Sequence, residues 1–477
     1  MRAKRGHNNA IAERKTRCNI RGDLQKPHIH YDPTKITTNV VDRDTIRAAL
    51  SIAAARNCHA EHIDIKSAFL HEKSDPAITL CIRQPPRFNG ACKRPNAAGQ
   101  VAGDLYGAKQ ACRIFIEGLE KHLIKSGFTK RKTDESVCAR WKGNNFITLL
   151  VAIDDMLALS NSQNLIQQTK TMLKTKCETK ELGPVSSMLQ WRITRTPNAL
   201  AINQPACMQK LLEDYNMQHC KPMTTPHSAG VALAKRQNDE IELPENRKRQ
   251  CQQIVGSLRC LADCARPDLA HITGQLGRCS SQPTEKHLQA AYRVLRCLQG
   301  ARTHGVACGP QRTPLQSFAE SDCAADPDTR LSTTGGMRFL NGGPISWRST
   351  RQSTVALSTT EAERIAASTA SRHMQWLREM LRELTNSAAN PTTLNLATPT
   401  TLSMDNQSAI KISQSNEKTR KSKCIDVRHH CIRQLRERGV LETRHTPTHD
   451  MKADFLTKQL APCKFTRNTR QCNIAAE

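Results

Sequence analysis

The sequence predicts an α+β fold in both halves of the chain, and three observations carry that expectation. The segment NNFITLLVAIDDMLALS has two apolar runs flanking a polar pair, the pattern of a hairpin with Asp154 and Asp155 at its turn. Pro314–Trp347 breaks into short strand-like runs with Gly-Gly pairs at 335–336 and 342–343. Gln163–Lys176 and Glu361–Leu384 carry apolar residues at helical spacing.

The other elements follow in order. Residues 1–40 are polar and basic, with little periodicity. Thr45–Ala55 is helical in pattern, and Ile63 and Ile65 then alternate with Asp64 and Lys66 as in a strand. Ser228–Lys248 is polar and reads as a linker. IVGSLRCLADCARPDLAHITGQLGRC and HLQAAYRVLRCLQG follow as helices, with Cys260 and Cys264 on one helix face. Asn386–Thr400 is rich in Thr, Asn, Ala and Pro and reads as a loop. Short strands and helices complete the chain, without an internal repeat.

The 477 residues suffice for two to four domains. A hydrophobic share of 38% with 4% aromatics allows a core poor in large rings. The formal net charge of +28 favours a polyanionic partner, and nucleic acid is the commonest. Twenty scattered cysteines show no metal-knuckle spacing and read as free thiols in a reducing compartment. The basic N-terminus has no apolar stretch of signal-peptide type, and no apolar run approaches the length of a membrane span.

Adjacent aspartates at a turn raise each other's pKa, and a divalent metal relieves that cost. Nucleotidyl transfer uses such metals to activate a hydroxyl and hold the leaving pyrophosphate. Asp64, on a neighbouring strand, is the candidate third carboxylate. Alone, an Asp pair reads more readily as a solvated turn than as a metal site, and Phe69 reads equally well as a core aromatic.

The ordered blocks DIKSAFL, RQPPRF, LYGAKQACR, GF-x5-DES, LLVAIDDMLAL, ELGPVSSMLQWRI and CKPMTTP resemble those of copia-type retrotransposon polyproteins. The resemblance implies that Asp64, Asp154 and Asp155 bind the catalytic metals. It places Phe69 under the incoming sugar and Gln110 in the nucleotide pocket, with Lys109 beside the phosphates. Two residues depart from the family pattern: Ala152 replaces a Tyr before the Asp pair, and Gln190 replaces a Gly whose backbone angle is special. Further on, CQQIVGSLRCLADCARPDLAH and HLQAAYRVLRCLQG resemble a helical connection, with Cys251, Cys260 and Cys297 at family aromatic positions and Arg259, Arg293 and Arg296 facing a duplex.

Four later blocks resemble the ribonuclease H-like region of the same elements: SFAESDCAADPDTRLSTTGG, ISWRSTRQSTVALSTTEAER, LSMDNQSAIKI and HDMKADFLTKQL. KCIDVRHHCIR fits between the last two. The catalytic carboxylates fall on Glu320, Glu363 (with Glu361 as the alternative), Asp405 and Asp454, the first three as metal ligands. Glu320 stands in place of an Asp, and Asp322 matches a second family Asp. Both Ser358-x-x-Glu361 and Thr360-x-x-Glu363 also read as capping boxes. Arg364 replaces a Tyr and brings a cation near the metals.

The implied fold is a right-hand polymerase (fingers, palm and thumb) followed by a ribonuclease H-like α/β domain. The expected boundaries are 1–227 for fingers and palm, 228–310 for linker and helical thumb or connection, and 311–477 for the last domain. No protease, integrase or capsid-like signature accompanies these blocks, so the chain reads as part of a polyprotein. The implied activity is RNA-directed DNA synthesis with RNase H, using two Mg²⁺ per active site, or Mn²⁺ in their place. Its partners are an RNA template, a DNA primer, the RNA–DNA hybrid and dNTPs, with no membrane. The implied location is cytoplasmic and then nuclear. The competing reading is a non-catalytic relic that still binds nucleic acid.

Overall fold

A computed structural model describes residues 2–5, 11–15, 19–72, 80–83, 98–100, 103–196, 199–228, 230, 233–309, 311–385, 396–414 and 431–475. The RQPPRF block past Arg83, the KCIDVRHHCIR block before Cys431 and residues 386–395 of the expected loop lie outside these. The chain forms two compact units, one of residues 1–41 and 61–184, the other of residues 42–60 and 185–477. No helix among the described residues is long and apolar enough to cross a membrane.

The short strands β1 (Arg2–Arg5) and β2 (Ile11–Lys15) pair antiparallel. Helix α1 (Arg43–Ala55) then passes into the second unit, capped by Asp42, whose carboxylate accepts from Asp44 N at 2.7 Å. The first unit is built on β3 (His59–Ile65), the small pair β4 (Cys81–Arg83) and β5 (Ala98–Gln100), and β6 (Thr129–Lys130), β7 (Val137–Lys142), β8 (Asn145–Ala152), β9 (Asp155–Ser160) and β10 (Thr179–Pro184). Its main sheet runs β10-β3-β9-β8-β7-β6. Helices α2 (Ala111–Lys125) and α3 (Gln163–Lys174) bury Phe115, Leu119, Leu123, Leu165, Ile166 and Leu173 in one core with sheet residues Ile63, Ile65, Ile147, Leu149 and Val151. The alternation Ile147, Leu149, Val151 is the period-2 pattern of one sheet face. The expected hairpin is present: Ala152 pairs with Asp155 across the two-residue turn Ile153-Asp154. Ile153 takes φ +61°, the first position of a turn that favours Gly. A β-branched residue there stores strain of about 1–3 kcal/mol.

In the second unit, β11 (Ser187–Met188), β12 (Trp191–Thr196), β13 (Ala199–Asn203), β14 (Gly305–Cys308) and β20 (Ile474–Ala475) form one five-stranded sheet. Helices α4 (Pro205–Asp214), α5 (Glu245–Cys264), α6 (Ala270–Cys279) and α7 (Glu285–Gln299) share an apolar core. On α7, Leu288, Ala291, Leu295 and Leu298 recur at spacings of three and four. The expected linker is corrected here. Leu233 and Leu243 are buried in that core, and Glu242 bridges to Thr284. Two isolated leucines in a polar run leave its average hydrophobicity low, yet each fills a place between helices.

The second sheet of this unit runs β17-β16-β15-β18-β19, from β15 (Gln316–Ser321), β16 (Thr333–Leu340), β17 (Gly343–Arg351), β18 (Thr400–Met404) and β19 (Leu441–His445). The first three are antiparallel, whereas β15–β18 and β18–β19 are parallel. Helix α8 (Thr359–Thr385) packs on β15 and β16, α9 (Gln407–Gln414) lies before β19, and α10 (Pro462–Gln471) closes the chain before β20. The turn expected at Gly342-Gly343 is present, with Gly342 at φ +79°. The one expected at Gly335-Gly336 is not: both glycines lie inside β16. A Cβ on Gly335 would sit 2.6 Å from Thr457 Cγ2, so the glycine marks a close approach rather than a turn.

Arg47 joins several of these elements. Its buried guanidinium donates to the carbonyls of Ile345 (2.7 Å), Asp263 (3.0 Å) and Cys264 (3.1 Å), pairs with Asp44, and stacks 4.0 Å from the Trp347 ring centroid. Burial alone would raise the Asp44 pKa. The His373 hydrogen bond and the charges of Arg47 and Arg348 outweigh that and hold it well below the carboxylate range. Arg47→Met is expected to destabilise the chain by about 3–5 kcal/mol, the cost of orphaning a buried charge, as read by denaturant melts. The turn at Leu189-Gln190 gives a prediction of opposite sign. Both residues have positive φ, +49° and +65°, so the family's Gly position does carry a left-handed backbone. Gln190→Gly is expected to stabilise by about 1 kcal/mol, as a rise in melting temperature.

Candidate active sites

The first candidate centre lies where β9 meets β3. Ile65 N donates to Asp154 O at 2.8 Å, which sets the hairpin turn beside the strand that carries Asp64. Asp155 Oδ1 lies 3.1 Å from His62 Nε2. His62 and Asp64 are two residues apart on β3 and share a face, so Asp155 is turned toward the face that holds Asp64. All three aspartates are half-buried. Their donor atoms are carboxylate oxygens, the hard ligands that Mg²⁺ prefers. They do not converge as tightly as the second centre: among the described residues, only that centre brings three such groups within 4.8 Å of one another.

The predicted nucleotide-site residues sit nearby in the same unit. Phe69 packs against the core, edge-on to Tyr106 at 4.9 Å and Phe115 at 6.3 Å between centroids. It follows Ser67, which has φ +50°. Gln110 is 4% exposed: its Oε1 accepts from Gln25 Nε2 at 3.2 Å and its Nε2 donates to Asp104 Oδ1 at 3.4 Å. Its amide therefore brackets the Gln25 segment to the start of α2. Lys109 Nζ donates to Tyr31 Oη at 3.2 Å and lies 4.6 Å from that ring's centroid.

The second centre is built by the sheet that contains β15. The parallel register pairs Phe318 with Ser403, so two residues on, Glu320 lies level with Asp405 just past the end of β18. Glu363, near the start of α8, completes a set whose ligand atoms lie within 4.8 Å of one another. Glu320 and Glu363 are buried at 2% and 4% exposure. One oxygen of Glu363 accepts from Ser321 N at 2.9 Å, and Asp405 accepts from Thr448 Oγ1 at 3.1 Å. Glu320 Oε2 and Glu363 Oε2 are buried without a hydrogen-bond partner. Burial pushes the pKa of both glutamates up, the Glu363 charge adds to the shift at Glu320, and that of Asp405 to the shift at Glu363. Unpaired buried oxygens on converging carboxylates are the donor set a divalent cation requires, so the residues present fit Mg²⁺ or Mn²⁺.

The structure separates Glu361 from Glu363. Glu361 N donates to Ser358 Oγ at 3.2 Å, and its carboxylate accepts from Leu357 N at 2.8 Å. It caps α8, while Glu363 points into the cluster. Asp322 is engaged elsewhere, accepting from Thr333 N at 2.9 Å. Asp454 is fully buried and stands outside the trio, in ion pairs with Lys464 and, at 3.0 Å, with Lys458. Lys458 also reaches Glu320 Oε1 at 2.8 Å.

Sequence reading missed His62, Ser321, Thr448 and Lys458. Of these, only Lys458 left a signal, four residues after Asp454 in a helical register. The arginines expected to face a duplex are engaged locally: Arg293 donates to His227 O (2.6 Å), Arg296 to Lys221 O (2.9 Å), and Arg259 pairs with Asp263 (2.8 Å). The described cysteines are all free thiols, with Cys251 and Cys297 buried.

Residues 2–229 match the reverse transcriptase (RNA-dependent DNA polymerase) family. The chain is 34% identical over 456 residues to the retrovirus-related Pol polyprotein from transposon TNT 1-94 of Nicotiana tabacum, covering 94% of this chain and 33% of that one. It is 31% identical over 452 residues to the Pol polyprotein from transposon RE1 of Arabidopsis thaliana, covering 94% and 30%. The chain thus spans about a third of the length of these relatives. With the aspartate hairpin inside the matched region, the chain belongs to the copia-type retrotransposon reverse transcriptases.

Proposed function

We propose that this chain is an RNA-directed DNA polymerase with a ribonuclease H-like domain behind it. The observation that carries the reading is the setting of Asp154 and Asp155 on a hairpin turn bonded to the strand of Asp64, inside the region that matches the reverse transcriptases. Divalent metals bound there would activate the primer 3′-hydroxyl and stabilise the leaving pyrophosphate. Asp64, Asp154 and Asp155 would hold them, and His62 would orient the Asp155 carboxylate. Phe69, braced by Tyr106 and Phe115, would present its ring edge to the incoming sugar, and Lys109 would sit near the phosphates. The partners in this reading are a primed RNA template, the RNA–DNA hybrid and dNTPs, drawn by the +28 charge.

The second centre supports the nuclease half of the reading. Its sheet order, numbered along the domain as 3-2-1-4-5, puts Glu320 on the central strand with Asp405 and Glu363 beside it. A divalent metal held there would direct water at an RNA phosphate. Glu363, anchored by Ser321, would keep one oxygen for the ion. Asp454, fully buried, would act through Lys458, which it shares with Glu320.

Two observations favour a second reading, a relic that binds nucleic acid without catalysis. Ala152 is buried where the family carries a Tyr, so the primer end lacks that ring. Glu320 is one methylene longer than the family's Asp, and Lys458 engages it. Primer extension on poly(rA)/oligo(dT) with Mg²⁺ separates the readings. Extension should vanish in the Asp154→Asn, Asp155→Asn double variant. His62→Gln should lower it by about 10–100-fold, as loss of a ligand's outer partner does. A folded, template-binding wild-type chain that extends nothing would establish the relic. For the nuclease, Glu363→Gln should abolish hydrolysis of the RNA strand of a hybrid. Glu361→Gln should retain it with little change in stability, because the glutamine amide oxygen can still accept from Leu357 N. Equal loss of hydrolysis in both would refute the assignment of Glu363.

A further inference from the structure

Three carboxylates meet at the second centre and Asp454 is linked to them through Lys458, and the four are not equivalent. Asp454 is neutralised by two lysines, Lys458 at 3.0 Å and Lys464. Lys458 also holds Glu320 Oε1 at 2.8 Å, so its ammonium lies between Glu320 and Asp454. Within the trio, the buried oxygens without a hydrogen-bond partner are Glu320 Oε2 and Glu363 Oε2, with the half-exposed Asp405 beside them; the two Asp454 oxygens also make no hydrogen bond but are taken up by the lysine ion pairs. That leaves oxygens for one ion. A second would need Glu320 and Asp454 to share it, and the gap between them already holds a positive charge. An ammonium and a divalent cation do not occupy one gap, because they repel and compete for the same lone pairs.

We infer that this centre takes one divalent cation, on Glu320, Glu363 and Asp405, and that the Lys458 ammonium stands in place of a second. The inference rests on reading the carboxylate trio as a metal centre. Lys458 is then a positioning residue. It holds Glu320 Oε1 back so that only Oε2 faces the ion, and it pairs with the buried Asp454. The extra methylene of Glu320 suits this arrangement, since it lets one carboxylate reach both the lysine and the trio.

Mn²⁺ binding to the full chain, counted by electron paramagnetic resonance, tests this. The Asp154→Asn, Asp155→Asn background removes the contribution of the first centre. One tight ion is expected, lost in Glu363→Gln. Two are expected in Lys458→Met, with a larger Mn²⁺-induced rise in melting temperature than the parent shows. Lys458→Gln, which keeps a polar contact to Glu320, serves the same count if Lys458→Met does not fold. A parent that binds two ions, both sensitive to Glu363→Gln, would overturn the role of Lys458 and leave the metal centre standing. A count of one in every folded Lys458 variant would also overturn it. A tight ion that survives Glu363→Gln would instead refute the trio as a metal centre, and the inference with it.

Discussion

A guanidinium buried without partners is among the costliest features a protein interior can contain, so the groups around Arg47 are constrained to meet it. Its donors take two carbonyls from the last turn of α5 and one from β17, its face lies on Trp347, and its charge is balanced by Asp44. Carbonyls at a helix C-terminus lack helical partners and carry partial negative charge, which makes them natural acceptors for a cation. Asp44 extends the node to His373 on α8 at 3.1 Å. Four elements far apart in sequence are thereby held in one arrangement. Because α8 is among them, the node also sets the position of the helix that delivers Glu363.

The same electrostatic logic runs with opposite sign at the second centre. There the fold buries negative charge and supplies too little positive charge to balance it. Glu320 and Glu363 each keep a buried oxygen without a partner. In a medium of low polarisability, such a cluster either takes up protons or takes up a cation. Lys458 and Lys464 relieve part of the imbalance on the Asp454 side. The first centre is looser. Its aspartates are half-buried, and His62 steadies one of them. The contrast is one of architecture: a strand, a helix start and a strand end converge on a point, whereas a hairpin turn spreads its carboxylates.

Two tight turns carry strained backbone. Ile153 takes positive φ between Ala152 and Asp154, where Gly would sit without cost. The pairing of Ala152 with Asp155 leaves room for only two residues, so the turn imposes the angle whatever the side chain. Leu189 and Gln190 obey the same rule between β11 and β12. Retention of the family's turn length, rather than of its residue types, is what the geometry enforces.

The sequence by itself determined the elements whose signal is periodic and local. Alternation along β8 and β9, the apolar stripe of α3 and the length of α8 were legible because period 2 and period 3.6 follow from backbone geometry alone. Asp64, Asp154 and Asp155 were legible as candidates because they belong to ordered blocks of the family to which the chain belongs. Tertiary structure alone decided the rest. It gave Glu361 to the helix cap and Glu363 to the cluster, a choice that two overlapping capping patterns left open. It put Gly335 inside a strand against Thr457, buried Leu233 and Leu243 of an apparent linker, and drew Lys458 between Glu320 and Asp454. Each of these depends on which groups meet across tens to more than a hundred residues, or on which of two neighbouring side chains turns inward. Local periodicity carries no information about either, because burial and charge pairing are settled only when distant elements pack.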